Sequence, residues 1–309
     1  MPPSGIREGL MRKKKGKIST VLLIIMFLVG LSVMLYPIVS NWYIQSKQAK
    51  VISNYVQKVN SLNEEKQKKM LEQAREYNRQ LAALQAPLEQ YEQVKGYEDI
   101  LDITGTGVMG YVTIPSIDVK LPIYHGTGED VLNEAVGHMQ GSTFPVGGLD
   151  TNGVISAHRG LPSATLFSDL DKITEGDLFT ITVLNEVYTY EVEKILIILP
   201  HESQHLAIQK GRDLVTLTTC TPYGINTHRL VIRGHRIKNP DNKEEYEVQV
   251  KADAVQIDDM VVVPIIAAPL VALLLAWWLF GGKKKKFPHD DPLSVFDNDS
   301  GNDKTKPDK

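Results

Sequence analysis

The chain has 309 residues, 42% of them apolar and 23% charged, with a formal net charge of −3. This balance excludes a chain disordered throughout and a collagen-like one. The length leaves room for about two domains at roughly 100–200 residues each, less two stretches too apolar for a soluble core.

Residues 1–17 form a basic N-terminus, with Arg12, Lys13, Lys14, Lys15 and Lys17 crowded at its end. Ile18 to Val39 then carries no charge and only Ser19, Thr20 and Ser32 as clearly polar residues, which reaches the roughly 20 residues needed to cross a bilayer as a helix. A cleaved signal peptide is the plainer alternative, but the apolar run exceeds its usual ~7–15-residue hydrophobic region and no small-x-small site follows. A transmembrane helix over 18–43 is therefore expected, ending on Trp42 and Tyr43 where an aromatic belt forms.

Residues 44–106 read as an extracellular helical arm, either stalk-like or packed. Gln45 to Ala86 lacks Gly and Pro, and Val51, Ile52, Tyr55, Val56, Val59 and Leu62 recur at helical spacing. Ala86-Pro87 should break the run, and Gly96 through Gly110 reads as a loop. Across 107–240 the texture changes to short β-rich runs: Met109–Ile114, Val119–Ile123, Gly153–Ser156, Leu178–Val183, Val187–Leu199, Leu214–Thr219 and Arg229–Ile237. Such spacing predicts an all-β barrel or sandwich, with short helices or turns at Glu129–Val136 and Thr165–Leu170. A polar linker (241–259), a second apolar span (260–280) and a disordered tail (281–309) complete the expected order. Lys283 to Lys286 follow the second span. By the positive-inside rule, both termini are cytoplasmic and everything between the two spans faces outward.

The termini hold six basic residues and one acidic (1–17), and seven and six (281–309). From totals of 34 and 37 this leaves 21 basic against 30 acidic residues between, about −9. A surface of that sign repels phosphate backbones, which argues against nucleic-acid binding. The single cysteine, Cys220, permits no internal disulfide, so the outward domain must rely on its core.

Cys220 is either a buried small hydrophobe or a reactive thiol. Thr216 to Cys220 alternates as a strand and Thr221-Pro222-Tyr223-Gly224 breaks it, so the thiol stands at a strand end. A thiol with an ordinary pKa near 8.5 needs a cation or base beside it. His158, in Ser156-Ala157-His158-Arg159-Gly160, also follows an apolar strand-like run, and Arg229 opens the run after the Cys220 loop, where a hairpin would set it beside the thiol. By spacing alone, a solvated loop histidine and a surface cation remain open for these two, and the three are only a candidate triad.

The same residues carry a resemblance. Thr216-Leu217-Thr218-Thr219-Cys220 matches the sortase signature Thr-Leu-x-Thr-Cys with Arg229 nine positions on, and Ser156 to Pro162 looks like the sortase histidine loop. Thr221 to Leu230, Leu121 to Thr127 and Pro145 to Gly148 extend the likeness, from about Gly107 to Arg236. The chain resembles class C, pilus-assembling sortases. The resemblance implies a mainly β fold: a closed eight-stranded sortase-type β-barrel with short helices, preceded by the helical arm and flanked by two transmembrane helices. It implies Cys220 as nucleophile, His158 as proton partner and Arg229 as oxyanion or substrate stabiliser, with no cofactor and no metal. Thr219, Thr218 and His138 are substrate-binding candidates.

The implied reaction cleaves a Leu-Pro-x-Thr-Gly-like sorting signal between Thr and Gly and joins the acyl group to a pilin lysine. Its partners are pilin or surface-protein substrates, a lysine amine acceptor and the membrane. A sortase that anchors proteins to a peptidoglycan amine is the alternative within the enzyme class; a non-catalytic scaffold or adhesin is the alternative outside it. Class C sortases commonly carry an Asp-Pro-aromatic lid, and no Asp-Pro occurs between the two apolar spans. Pro87 and Tyr91 mark the lid-equivalent region, and a weak or missing plug is expected. His201-Glu202-Ser203-Gln204-His205 spells a zincin motif, yet Pro200 shortens any helix there and no third ligand follows at the required spacing, so a loop between strands is the expectation.

Overall fold

The computed structural model describes residues 5–240. The expected linker, second membrane span and tail lie outside the described residues. Helix α1 (Gly5–Asn60) runs for 56 residues without interruption. From Leu22 it is long and apolar enough to cross a bilayer, and none of its most apolar window is buried in the protein. The helix continues past residue 43 into the expected arm: after Pro37 no Gly or Pro occurs before Pro87, so nothing stops it there. What changes is its face. Ile44, Gln48, Ile52, Tyr55 and Val59 are buried at helical spacing against the β domain.

The arm is thus packed rather than stalk-like. Tyr55 seals the contact: its hydroxyl donates to the Met109 carbonyl (2.8 Å) and accepts the Leu184 N–H (2.8 Å). Burial raises its pKa further than the Leu184 bond lowers it. A turn leads to α2 (Glu64–Ala82), where the Asn63 side chain caps the Lys66 N–H at 2.8 Å. The α2 face Leu71, Ala74, Tyr77, Asn78 and Leu81 is buried. Asn78 bonds the backbone of Phe144 on both sides, donating to its carbonyl (2.9 Å) and accepting its N–H (2.7 Å). Proline at the first turn of the short α3 (Pro87–Gln90) fits the missing N–H to a position that needs none.

Eight strands follow: β1 (Val108–Ile114), β2 (Val119–His125), β3 (Val136–His138), β4 (Thr151–Ser156), β5 (Leu178–Val183), β6 (Glu186–Ile198), β7 (Asp213–Thr221) and β8 (His228–Arg236). They close into a barrel in the order β1-β2-β3-β4-β7-β8-β6-β5, which leaves no free sheet edge. Ile123, Ile155, Phe179, Ile181, Val215, Leu217 and Ile232 fill the core. At Gly234 only a hydrogen fits, because a Cβ would stand 2.5 Å from the Phe179 ring, itself stacked on Tyr190 at 5.6 Å. Seven strands coincide with the apolar runs of the sequence to within two residues at either end. The eighth, β3, falls where a helix or turn is expected over Glu129–Val136. Helix α4 covers only Glu129–Leu132, and Val136 opens a three-residue strand too short to show alternation. The turn expected at Thr165–Leu170 ends in a short 3-10 turn at Leu170–Lys172.

Strand directions position the site. Strands β4 and β7 are parallel, β8 is antiparallel to β7, and β6 is antiparallel to β8, so the ends of β4, β6 and β7 and the start of β8 share one end of the barrel. Helix α1 identifies that end. Asn41 accepts from the Thr165 N–H and hydroxyl (3.0 Å each), just beyond β4, whereas Tyr55 reaches the start of β1 and the end of β5. The loops after β4, β6 and β7 therefore lie at the end nearer the apolar stretch of α1, the membrane-proximal end where that stretch spans a bilayer.

His138 is wholly buried. Its Nε2 donates to the Thr143 carbonyl (2.8 Å), which fixes Nδ1 as the acceptor facing the Tyr97 hydroxyl (3.0 Å). The ring stacks on Phe144 at 5.4 Å. Desolvation pulls its pKa from 6.5 down to about 4 against the opposing Thr143 bond. The unfolded chain thus takes up a proton that the folded one refuses between those values, and stability drops as pH falls from about 6.5 to about 4, by about 3 kcal/mol in all. Urea unfolding of the detergent-solubilised chain should show this acid slope at pH 7 to 4, reduced in His138→Gln; an identical slope in the variant would refute the assignment. Tyr55→Phe should lower stability by about 1–3 kcal/mol, because a buried N–H and carbonyl lose their partner; the same titration at pH 7 measures it.

Candidate active site

Cys220 is the penultimate residue of β7 and Arg229 the second of β8, and the two are directly opposed across the hairpin. Opposed residues in an antiparallel pair project from the same face about 5 Å apart at Cβ. Arg229 is also opposed to Ile198 on β6, so all three side chains stand on one face of the β6-β8-β7 sheet. His158 arrives from the other side. Strand β4 pairs with β7 through Ser156 and Thr218. Beyond it the Ala157 N–H donates to the Thr218 carbonyl (3.2 Å), while the Thr219 hydroxyl donates to the Ala157 carbonyl (2.8 Å). Those two bonds hold the residue before His158 against the residue before Cys220. The His158 carbonyl accepts the Phe167 N–H (3.2 Å), which turns the chain away at once.

Cys220, His158 and Arg229 line one cleft of about 230 Å³, together with Thr218, Thr219, Met139, Ile198 and Leu206. All three are partly exposed. One nitrogen of Arg229, Nη1, donates to the Asn226 and His228 carbonyls (3.3 and 3.1 Å). This anchors the guanidinium on the β7–β8 turn; its Nε and Nη2 have no protein partner among the described residues, and neither does the His158 ring. Uncommitted donors beside a thiol and an imidazole can carry acyl-transfer chemistry: a nucleophile, a proton carrier and a cation for developing negative charge.

The cleft's outer wall is the β6–β7 loop, and two buried polar side chains clamp it. Asn152 donates from its amide nitrogen to the Leu206 carbonyl (2.9 Å) and accepts from the Thr216 hydroxyl (2.8 Å). Arg233 donates to the His205 carbonyl, at a cost seen in a pKa lowered by burial. Both escaped the sequence reading. Their only signal there is a polar residue inside an otherwise apolar strand, Asn152 in Thr151–Ser156 and Arg233 in Leu230–Gly234.

Thr218 and Thr219 line the cleft, although the Thr219 hydroxyl is already spent on Ala157. His138 does not belong with them. Its ring has no exposed surface and both nitrogens are engaged in the core, so the expected substrate contact is corrected to a structural one. Pro87 and Tyr91 also stand apart from the thiol. Residues 88 and 91 pack on Gly141, where a Cβ would meet Tyr91 Cδ1 at 3.0 Å and Leu88 Cα at 3.1 Å, and residues 85–89 border a separate cavity of about 190 Å³ against Ser203–Ile208. No residue of 84–99 lines the Cys220 cleft. In the His-Glu-x-x-His stretch, Glu202 accepts the Leu199 N–H (2.8 Å) and Ser203–Leu206 forms a short 3-10 turn. That turn lacks the regular helix on which the motif would set two imidazoles side by side.

Comparisons with known proteins agree on the region that builds this cleft. A family model described as Sortase domain matches residues 112–237. The crystal structure of sortase C1 from Streptococcus agalactiae is 45% identical with a TM-score of 0.57, covering 62% of this chain and 100% of that one. Sortase C of Streptococcus pneumoniae, whose structure is described as giving insight into catalysis and pilin substrate specificity, is 39% identical with a TM-score of 0.56, covering 62% and 97%. Among curated proteins, Sortase D of Bacillus subtilis is 32% identical over 133 residues, which is 41% of this chain and 63% of that protein's length. The chain thus spans a little under two thirds of that relative.

With segment 84–99 set beside the cleft, a small methanethiosulfonate reagent should label Cys220 of the solubilised chain quickly, at a rate unchanged in Tyr91→Ala. A several-fold acceleration in the variant, read by mass spectrometry over time, would mean that this segment caps the thiol.

Proposed function

The chain belongs to the sortase family, with class C sortases among its structural neighbours, and from that premise we propose that it is a membrane-anchored cysteine transpeptidase that polymerises pilins. The observation that carries the proposal is the convergence of Cys220, His158 and Arg229 on one cleft from three strand ends. In this reading the Cys220 thiolate attacks the Thr carbonyl carbon of a Leu-Pro-x-Thr-Gly-like sorting signal. The carbonyl oxygen takes the electron pair and lies against the free guanidinium N–H groups of Arg229. As the C–N bond breaks, protonated His158 gives its proton to the departing Gly nitrogen, leaving a thioacyl-enzyme. A lysine amine of a second pilin then attacks the thioester. His158 takes back a proton, the thiolate leaves, and an isopeptide bond remains.

The choice of pilin as acceptor draws support from the pneumococcal relative's described pilin specificity. Thr218 and Thr219 would contact the signal along β7. A two-pass arrangement with both termini cytoplasmic is supported by the basic residues before Ile18 and after Gly282. It sets the catalytic domain on the outer face of the cell membrane.

Incubating the full chain with a sorting-signal peptide should trap an adduct on Cys220 whose mass equals the peptide's acyl part through Thr. The adduct should be absent in Cys220→Ala and should transfer to a pilin-like lysine amine. A Cys220→Ala protein as active as the parent would instead support a non-catalytic scaffold, and transfer only to a peptidoglycan amine would support wall anchoring.

A further inference from the structure

We propose that the barrel end carrying the cleft docks onto the bilayer that holds α1, through Ile197, Leu199, Tyr223 and Ile225, so that the cleft opens at the membrane surface. Among the described residues beyond residue 43, large apolar side chains with substantial exposure are few. Ile197, Tyr223 and Ile225 are 67%, 62% and 68% exposed, and Leu199 joins them at 38%. All four lie at the end of β6 or in the β7–β8 loop, at the barrel end already assigned as membrane-proximal. Away from that end stand only Leu149, equally bare, before β4, and Val56 of α1 at 38%, well separated from one another in the chain.

Contacts tie this apolar rim to the level of the membrane exit. Asn41, beside the exposed Trp42 and Tyr43, holds Thr165 of the β4–β5 loop. The same loop pairs Leu161 with Ala164, and at Gly160 it receives the Tyr223 ring so closely that a Cβ would meet it at 2.8 Å. The Arg159 guanidinium lies 5.8 Å from the centre of that ring and pairs with Asp171. Tyr223 is therefore held in place at the base of a loop whose tip presents Ile225. Apolar groups clustered on a soluble face mark an interaction surface. An aromatic with a polar tip, flanked by isoleucines and level with the aromatic end of a membrane span, suits the headgroup–acyl boundary of a phospholipid bilayer.

The proposal rests on α1 spanning a membrane and not on the chemistry of the cleft. The test uses the full chain with Cys220→Ala in phosphatidylcholine–phosphatidylglycerol vesicles, carrying one NBD-labelled cysteine at a time: Ile225→Cys, Ile197→Cys, Leu149→Cys or Trp42→Cys. Labels at 225 and 197 should be quenched by headgroup-level nitroxide lipids several-fold more than the label at 149, and shielded from aqueous iodide, as at 42. Iodide access at 225 and 197 equal to that at 149, with 42 still lipid-quenched, would overturn the docking alone. Loss of lipid quenching at 42 would overturn the membrane span and the docking with it.

Discussion

Two hydrogen bonds across the barrel wall, from the Ala157 N–H to Thr218 and from the Thr219 hydroxyl back to Ala157, determine whether a cleft with three chemical groups exists at all. Strand β4 ends one residue earlier, at Ser156, and these bonds carry its attachment to β7 on to the residue before His158. The second of these, from the Thr219 hydroxyl, is a side-chain contribution that adds to the ladder beyond the last paired residues of β4 and β7. Val or Ala at 219 would keep the strand and lose the pin. Arg229 needs no such device, because strand register alone sets it opposite Cys220.

The rest of the molecule holds that wall still. Helices α1 and α2 cover the barrel from one side, and their buried polar atoms are matched to barrel backbone: Tyr55 with Met109 and Leu184, Asn78 with Phe144. These bonds add less to stability than the apolar face around them, but leaving them unmade would be costly. They therefore select one docking of the helices over its neighbours. His138, Tyr97 and Phe144 form the continuation of this contact beneath β3. The same principle appears on the outer sheet face, where Asn152 and Arg233 fix the β6–β7 loop as the roof of the cleft.

What could be read from residues alone divides along physical lines. Strands with five or more alternating or apolar residues announced themselves, and so did the apolar stretch of α1. Strand β3 did not, since three residues show no period and its pairing partners, β2 and β4, lie elsewhere in the chain. In α1 the apolar run stops near Val39 while the helix-forming run continues to Asn60. Cys220 and Arg229 were legible as hairpin partners, but the place of His158 beside them came from the family likeness. Local sequence carries no information on a contact made through Ala157. His138 was misassigned for the converse reason: histidine chemistry suggests a site, and only burial reveals a ring whose two nitrogens are already satisfied.

The unbroken run of α1 through Pro37 to Asn60 has a geometric consequence. A continuous helix is a shaft with a fixed phase: each residue added between its apolar stretch and Ile44 would shift the barrel by about 1.5 Å along the shaft and swing it by about 100° around the shaft axis. A flexible stalk would absorb such an insertion; this shaft converts it into a change of heading, so its length is coupled to which way the cleft faces.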